Sequence, residues 1–188
     1  MQTSNRLVTI AAYPRKLIQL FESEWQIGPE KLLEGSRLTL EQLDRPDRLV
    51  SLVDVFVVFN TAIRLSPEPD LALRYAHLLP PGSHGQLGMA TVTAASLRDV
   101  IELYYDYMAV VAPFMLLHQE QRGGQQRLVF EMITELPAHE GFVMELMLTA
   151  AFNIAERMLG TQVRELGLHL TSAPPVYAAR LQAYCHGT

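Results

Sequence analysis

The first half of the chain has the spacing of apolar residues that is typical of helices packed on a common core. Between Tyr13 and Trp25, apolar residues recur at intervals of three and four positions, which predicts an amphipathic helix. The segment 51–65 is nearly apolar on all sides between Leu52 and Phe59, which is typical of a buried helix. Its β-branched residues leave a strand as the alternative for this segment. Helices therefore dominate the predicted first half.

Polar residues mark where several of these helices begin. Thr39 is suited to cap a short helix, because its hydroxyl can accept a hydrogen bond from a backbone N–H of the first turn. Ser96 stands three residues before Asp99 and precedes an apolar run, and this capping pattern predicts a helix over 96–111. A shorter helix is predicted over 85–93, directly after a stretch rich in proline and glycine.

The periodicity changes in the second half, where a small sheet is predicted. Two strand-like runs flank Gly123 and Gly124 and predict an antiparallel hairpin over about 114–134. A long helix is predicted over about 139–159, followed by a third strand over about 164–170. A final helix is expected near the C-terminal end.

These elements together predict an α+β fold, with a helical N-terminal half and a small antiparallel sheet covered by helices. The 188 residues suit one domain, which we expect to span residues 1–188. Hydrophobic residues make up 49% of the chain, and its mean hydropathy is +0.10. This composition supplies a core and leaves apolar side chains for a cavity or an oligomer interface.

Charge and cysteine content narrow the possible partners and location. The formal net charge is −5 and no cluster of Lys and Arg stands out, so the chain alone is expected to bind DNA poorly. The longest apolar run, Met108–Leu117, is too short for a membrane span and contains Pro113. Cys185 is the single cysteine and cannot form an internal disulfide. With no signal peptide visible, we expect a cytoplasmic protein without membrane contact.

The sequence does not match the common motifs for catalysis, phosphate binding or metal binding. The glycines of GSHGQLG (residues 82–88) lack the spacing of phosphate-binding loops. The histidines are scattered without a metal-binding pair, and no G-x-S-x-G motif is present. We therefore expect no enzyme, no cofactor and no metal. His84, flanked by glycines, either contacts a ligand or hydrogen-bonds a backbone carbonyl.

Methionine and aromatic residues are concentrated in the second half. Methionine adapts to irregular spaces and is common at binding surfaces, although each such residue alone is more often part of a core. As a group they predict an apolar pocket between the sheet and the helices, because small-molecule sites combine apolar walls with a few polar groups. We predict two polar contacts with the ligand and six apolar ones: His84 and His118; Met89, Tyr105, Met115, Phe130, Met132 and Met147.

Four segments in the same order resemble one known family. They are Ile27–Leu52, Ser66–Leu103, the hairpin sequence RGGQQRLVFEM and Leu170–Cys185. The chain thereby resembles the N-terminal ligand-sensing domain of AraC-type transcription regulators, in the helix-rich branch rather than the cupin-like arabinose barrel. The resemblance covers nearly the whole chain, and its most specific parts are PGSHGQLG with SLRDVIEL, and APPVYAARLQ.

The resemblance implies a function in bacterial transcription regulation. It implies a small-molecule effector, frequent dimerisation through this domain, and a C-terminal DNA-binding module of two helix-turn-helix motifs. That module is absent from this sequence. DNA would be contacted only through the module, and not by this chain alone. We expect a sensor domain that binds a small, mostly apolar molecule and forms a homodimer. The alternative is a ligand-free module for dimerisation or protein interaction.

Overall fold

The computed structural model describes residues 7–134, 140–159, 169 and 174–184, and these residues form an α+β fold, as predicted. Helices predominate, and the two antiparallel sheets have two strands each. The α-helices are α1 (Ala12–Trp25), α2 (Pro29–Leu32), α3 (Leu40–Leu43), α4 (Leu52–Leu65), α5 (Leu71–His77), α6 (Gly85–Thr93), α7 (Leu97–Val111), α8 (Glu140–Leu159) and α9 (Ala178–Tyr184). The strands are β1 (Val8–Ile10), β2 (Leu49–Ser51), β3 (Met115–Arg122) and β4 (Gln125–Met132).

The core of the first half is formed mainly by α1 and α4. Leu17, Ile18 and Phe21 of α1 are fully buried, in agreement with the predicted amphipathic pattern. The segment after Ser51 is a helix and not the alternative strand, and it buries residues such as Val55 and Val58. Ser51 caps this helix, because its hydroxyl accepts a hydrogen bond from the backbone N–H of Asp54.

The predicted caps are present on two further helices. The Thr39 hydroxyl accepts a hydrogen bond from the backbone N–H of Gln42, whose side chain accepts one from the backbone N–H of Thr39. The Ser96 hydroxyl accepts a hydrogen bond from the backbone N–H of Asp99 over 3.2 Å. These local bonds satisfy N–H groups that have no partner within the helix, and they fix where α3 and α7 begin.

A small sheet joins the N-terminal strand to the segment before α4, and the sequence pattern did not predict it. β1 and β2 are antiparallel, with Thr9 opposite Val50 as the buried pair. Each strand has only three residues, so neither contains enough positions to show an alternating pattern. The helical first half therefore also contains a two-stranded sheet.

The stretch rich in proline and glycine forms a turn that continues directly into α6. Pro81–His84 is one turn of 3-10 helix, and Gly85 follows with a φ of 62°, a left-handed value that favours glycine. At Gly88 an added Cβ would lie 1.6 Å from the carbonyl oxygen of Pro81. A side chain at this position is therefore incompatible with the contact between α6 and the turn, and this contact places His84 against the core.

The second half contains the predicted hairpin and the long helix. β3 and β4 are antiparallel, with Met115 opposite Met132, and Gly123 and Gly124 both have positive φ at the turn. The helix α8 packs against α5. The predicted third strand over about 164–170 lies outside the described residues, except for His169. Within the described ranges, no helix is both long and apolar enough to cross a membrane.

Candidate functional site

A cavity of about 1920 Å³ lies between α7, α8 and the β3–β4 hairpin, with further side chains from α1, α4 and α5. It is larger than the roughly 300–1,000 Å³ of a typical small-molecule site. Its lining includes exposed residues at the hairpin tip, such as Gln125 and Gln126, so the cavity reaches the protein surface there. The cavity has room for a small molecule and an opening through which to enter.

Most of the wall is apolar. The side of α8 that faces the cavity contributes Val143, Met144 and Met147. The strand β4 contributes a second apolar surface, where Phe130 and Met132 are half-buried and pack against the core. This arrangement follows from the period of two along the strand, since every second side chain of β4 lies on the same face.

Polar side chains meet at one part of the wall, the His84 end, which we define by Tyr13, His84 and Tyr104. The Tyr13 hydroxyl and the His84 Nδ1 atom are 2.9 Å apart and hydrogen-bonded. The Tyr104 ring lies almost perpendicular to the His84 ring, with 6.3 Å between the ring centroids. The His84 end thus combines aromatic rings with hydroxyl and imidazole groups.

The hydrogen bonds hold Tyr13 and His84 in position. The Tyr75 hydroxyl, which is fully buried, donates to the backbone carbonyl oxygen of Tyr13 over 2.7 Å. Tyr13 therefore ties together α1, α5 and the turn that carries His84. The Nε2 atom of His84 is buried and has no hydrogen-bond partner among the described residues.

All ionisable groups of the His84 end are neutral near pH 7. Burial lowers the pKa of His84 to about 4, so its imidazole carries no charge. Burial also raises the pKa of Tyr13 above its ordinary value. It raises the pKa of Tyr104 to about 12, although the nearby Thr91 hydroxyl opposes this rise. Because a neutral imidazole has one N–H, one ring nitrogen of His84 donates and the other accepts.

The charged residues of the cavity lie near solvent. Among its described lining residues, none with a charged side chain is buried: Arg98, Glu102, Glu120, Glu131 and Glu140 are exposed, and Arg127 is half-buried. His118, on β3, lies with its Nε2 atom 3.4 Å from a carboxylate oxygen of Glu120. Both side chains are more than a third exposed, which makes this contact a weak surface pair.

The cavity brings together five of the eight residues predicted to bind a ligand: His84, His118, Phe130, Met132 and Met147. Met115 is buried in the core but does not line the cavity. Met89 and Tyr105 are 61% and 54% exposed and lie on the outer surfaces of α6 and α7. Ligand contact stays a prediction for all eight.

Sequence reasoning missed Tyr13 and Tyr104. Tyr13 stands at the start of α1 and is 71 positions from its hydrogen-bond partner. No local spacing connects two residues at such a separation. Tyr104 lies in an apolar run of α7, where the pattern predicts a packing residue and does not indicate which face meets the cavity.

The described residues contain no group of three or more His, Cys, Asp or Glu side chains arranged to hold a metal ion. His84 is hydrogen-bonded to a tyrosine, and its low pKa makes it a poor proton acceptor at neutral pH. The geometry favours binding of a molecule through packing and hydrogen bonds.

A polar contact surface joins α8 to the C-terminal segment 174–184. The Tyr177 hydroxyl donates to a carboxylate oxygen of Glu145, and the Tyr184 hydroxyl donates to the side-chain oxygen of Asn153. Glu145 is buried, and burial raises its pKa although the Tyr177 hydrogen bond opposes the rise. Since α8 also lines the cavity, one helix contacts both the cavity and the C-terminal segment.

Comparison with known proteins identifies the family to which the chain belongs. Residues 27–188 match the family model of the arabinose-binding N-terminal domain of AraC transcription regulators. The chain belongs to this family. The resemblance seen in the sequence is thereby confirmed, and the chain is a ligand-sensing regulatory domain of a family of transcription regulators, not of an enzyme family.

A curated relative supports the same assignment. The chain is 26% identical over 169 residues to an ornithine utilization regulator of Pseudomonas aeruginosa. The matched region covers 90% of this chain and 50% of the relative, so the chain spans about half the length of that regulator.

Proposed function

We propose that this domain binds a small, mostly apolar effector in the cavity between α7, α8 and the hairpin. The observation that carries the proposal is the apolar wall of α8 and β4 with the neutral, buried His84 end. Apolar walls supply binding free energy in proportion to the area removed from water, and a few polar groups orient the ligand. Five of the predicted lining residues support this location.

Effector binding would change transcription through α8. This helix lines the cavity with Val143 and Met147 and holds the C-terminal segment through Glu145 and Asn153. An effector shifts a population only if it binds one arrangement more tightly than the other. We propose that cavity occupancy alters how firmly the segment 174–184 docks on α8, and that a DNA-binding module of the whole regulator responds in the bacterial cytoplasm.

The composition of the cavity argues against a strongly charged effector. The curated relative is named for ornithine utilization, and ornithine carries two ammonium groups and one carboxylate. Burying such groups requires paired charges, whereas the charged residues of the described lining are exposed or half-buried. We therefore propose an effector class different from a diamino acid.

Filling the cavity tests the proposal. Met147→Trp places a larger side chain on the α8 wall, so an effector should bind about tenfold more weakly or worse, a loss of about 1.4 kcal/mol. The measurement is the change in melting temperature with medium-chain alcohols, lactones, fatty acids and amino acids. Val53→Trp is the matched control, because Val53 is 38% exposed on α4 and does not line the cavity. If no compound class raises the melting temperature of the wild type, the proposal is wrong.

We also propose that the domain forms a homodimer. Several exposed apolar side chains lie on the neighbouring helices α6 and α7: Met89, Val92, Tyr105, Tyr107 and Val110. Val92→Lys should shift sedimentation toward the monomer, since a buried unpaired charge opposes association. Val53→Lys, at an exposed position of α4, is the control and should leave the dimer intact. A wild type that sediments as a monomer at every concentration contradicts this proposal.

A further inference from the structure

The unpaired Nε2 ring nitrogen of His84 indicates what kind of polar group the effector carries. His84 lines the cavity and is only 9% exposed. Its Nδ1 atom is hydrogen-bonded to the Tyr13 hydroxyl, whereas its Nε2 atom has no partner within the described part of the chain. Buried polar atoms are normally hydrogen-bonded, so an unpaired one in a cavity wall indicates a group that arrives with the ligand.

The surroundings of this nitrogen are polar but uncharged. The side chains of Tyr13 and Tyr104 lie beside His84, and each carries a hydroxyl group. Burial keeps the pKa values of both tyrosines above their ordinary value and that of His84 below its own, so no charge develops here near pH 7. A ligand carboxylate or ammonium group would enter without a counter-ion, which is strongly unfavourable away from water.

The tyrosine hydroxyls leave the hydrogen-bonding role mainly to His84. The Tyr13 hydroxyl is already bonded to Nδ1. The Tyr104 hydroxyl is buried beside the Thr91 hydroxyl and makes no hydrogen bond of normal geometry to a described residue. The rest of the cavity wall includes apolar side chains such as Phe59 and Val100. One polar group of a ligand fits this end, and the remainder of the ligand meets apolar side chains.

We infer that the effector is an electrically neutral molecule whose single terminal hydroxyl or carbonyl group hydrogen-bonds the His84 Nε2 atom while its apolar part packs against α8 and β4. A hydroxyl group suits either tautomer of His84, because it both donates and accepts. The inference rests on the proposed function, since it specifies the ligand class of the same cavity.

The head-group comparison uses decanol, decanoate and decylamine, which share one alkyl chain and differ in charge. Each is titrated into the wild-type protein at neutral pH, below its micelle-forming concentration, and binding is followed by melting temperature and calorimetry. We expect decanol to bind and the two charged compounds to bind at least about tenfold more weakly. If decanoate or decylamine binds as tightly as decanol, the inference is wrong while the proposed function stands. If none of the three binds, the inference is wrong, and the proposed function fails as well only if no other compound class raises the melting temperature.

Variants of His84 test the contact itself. His84→Phe keeps an aromatic ring and removes both ring nitrogens, so decanol should bind about 3- to 10-fold more weakly, the range of one neutral hydrogen bond. His84→Gln introduces a side-chain amide, which can form a hydrogen bond, and should recover part of the decanol affinity that His84→Phe loses. Glu22→Gln is the control, since Glu22 is exposed on α1 and does not line the cavity. Unchanged decanol binding by a folded His84→Phe variant overturns the inference, and if that variant does not fold, the head-group comparison on the wild type decides.

Discussion

Gly88→Ala should destabilise the domain by about 3 kcal/mol and weaken binding in the cavity. The added Cβ would lie 1.6 Å from the Pro81 carbonyl oxygen and 3.2 Å from the Cβ of His84. The obstacle is backbone, which cannot rotate away as a long side chain can, so α6 must move from the 3-10 turn. Overpacking of this kind typically costs about 1–3 kcal/mol, and the backbone contact places this case at the upper end. Urea unfolding measures the loss.

Gly82→Ala provides the matched control within the same turn. No atom lies within 4 Å of a Cβ at Gly82, and its φ is not left-handed. Alanine there should be neutral or should stabilise by about 0.4–1 kcal/mol, because it restricts the unfolded chain. Equal stability of the two variants would show that α6 tolerates a side chain at Gly88. It would also remove the reason for assigning this glycine a role in positioning His84.

Local sequence signals predicted the features that depend on local interactions. Ser96 and Thr39 cap helices because each hydroxyl is bonded three residues along the chain. The Gly123 and Gly124 pair forms the hairpin turn because both positions require positive φ. The buried residues of α4 were predicted from the run Leu52–Phe59, which is nearly apolar on all sides. In each case the determining contact lies within a few residues.

Features that depend on distant contacts were not predictable in the same way. The pairing of Thr9 with Val50 joins two short strands 41 positions apart. The bond between Tyr13 and His84 spans 71 positions. Residue type alone placed Met89 and Tyr105 in the pocket, but the orientation of α6 and α7 leaves both exposed. The residue type identifies a candidate, whereas packing decides which face of a helix points toward the cavity.

Asp70 is the site of the second large effect, because it connects α5 to the C-terminal segment. This buried carboxylate accepts hydrogen bonds from Arg74 over 3.0 Å and from Arg180 over 2.8 Å. Burial raises its pKa, but the bonds from the two arginines outweigh this and lower the pKa below its ordinary value. Asp70→Asn keeps the size and removes the charge, so it should destabilise by about 2–3 kcal/mol near pH 7.

The pH dependence of stability tests the direction of that effect. Because the folded protein holds the pKa of Asp70 below its unfolded value of about 3.9, its contribution is fully present above that value and is lost as the pH falls through the folded pKa. The difference in the free energy of unfolding between wild type and Asp70→Asn, measured by urea unfolding, should therefore be largest near neutral pH. It should fall toward zero in acid. Contributions from other carboxylates, including Asp54, cancel in this difference.

The same variant should loosen the C-terminal helix selectively. Arg180 follows Tyr177 by three residues, so losing its charged partner weakens one of the contacts that hold α9 against α5 and α8. Backbone amides of Ala178–Tyr184 should exchange hydrogen faster, while those of α1 change only with global stability. Asp106→Asn removes a charge from the exposed surface of α7 and should alter stability by less than about 0.5 kcal/mol. Equal protection of α9 in wild type and Asp70→Asn would mean that Tyr177, Tyr184 and the Arg180–Glu68 ion pair suffice to dock it, and that Asp70 stabilises α5 alone.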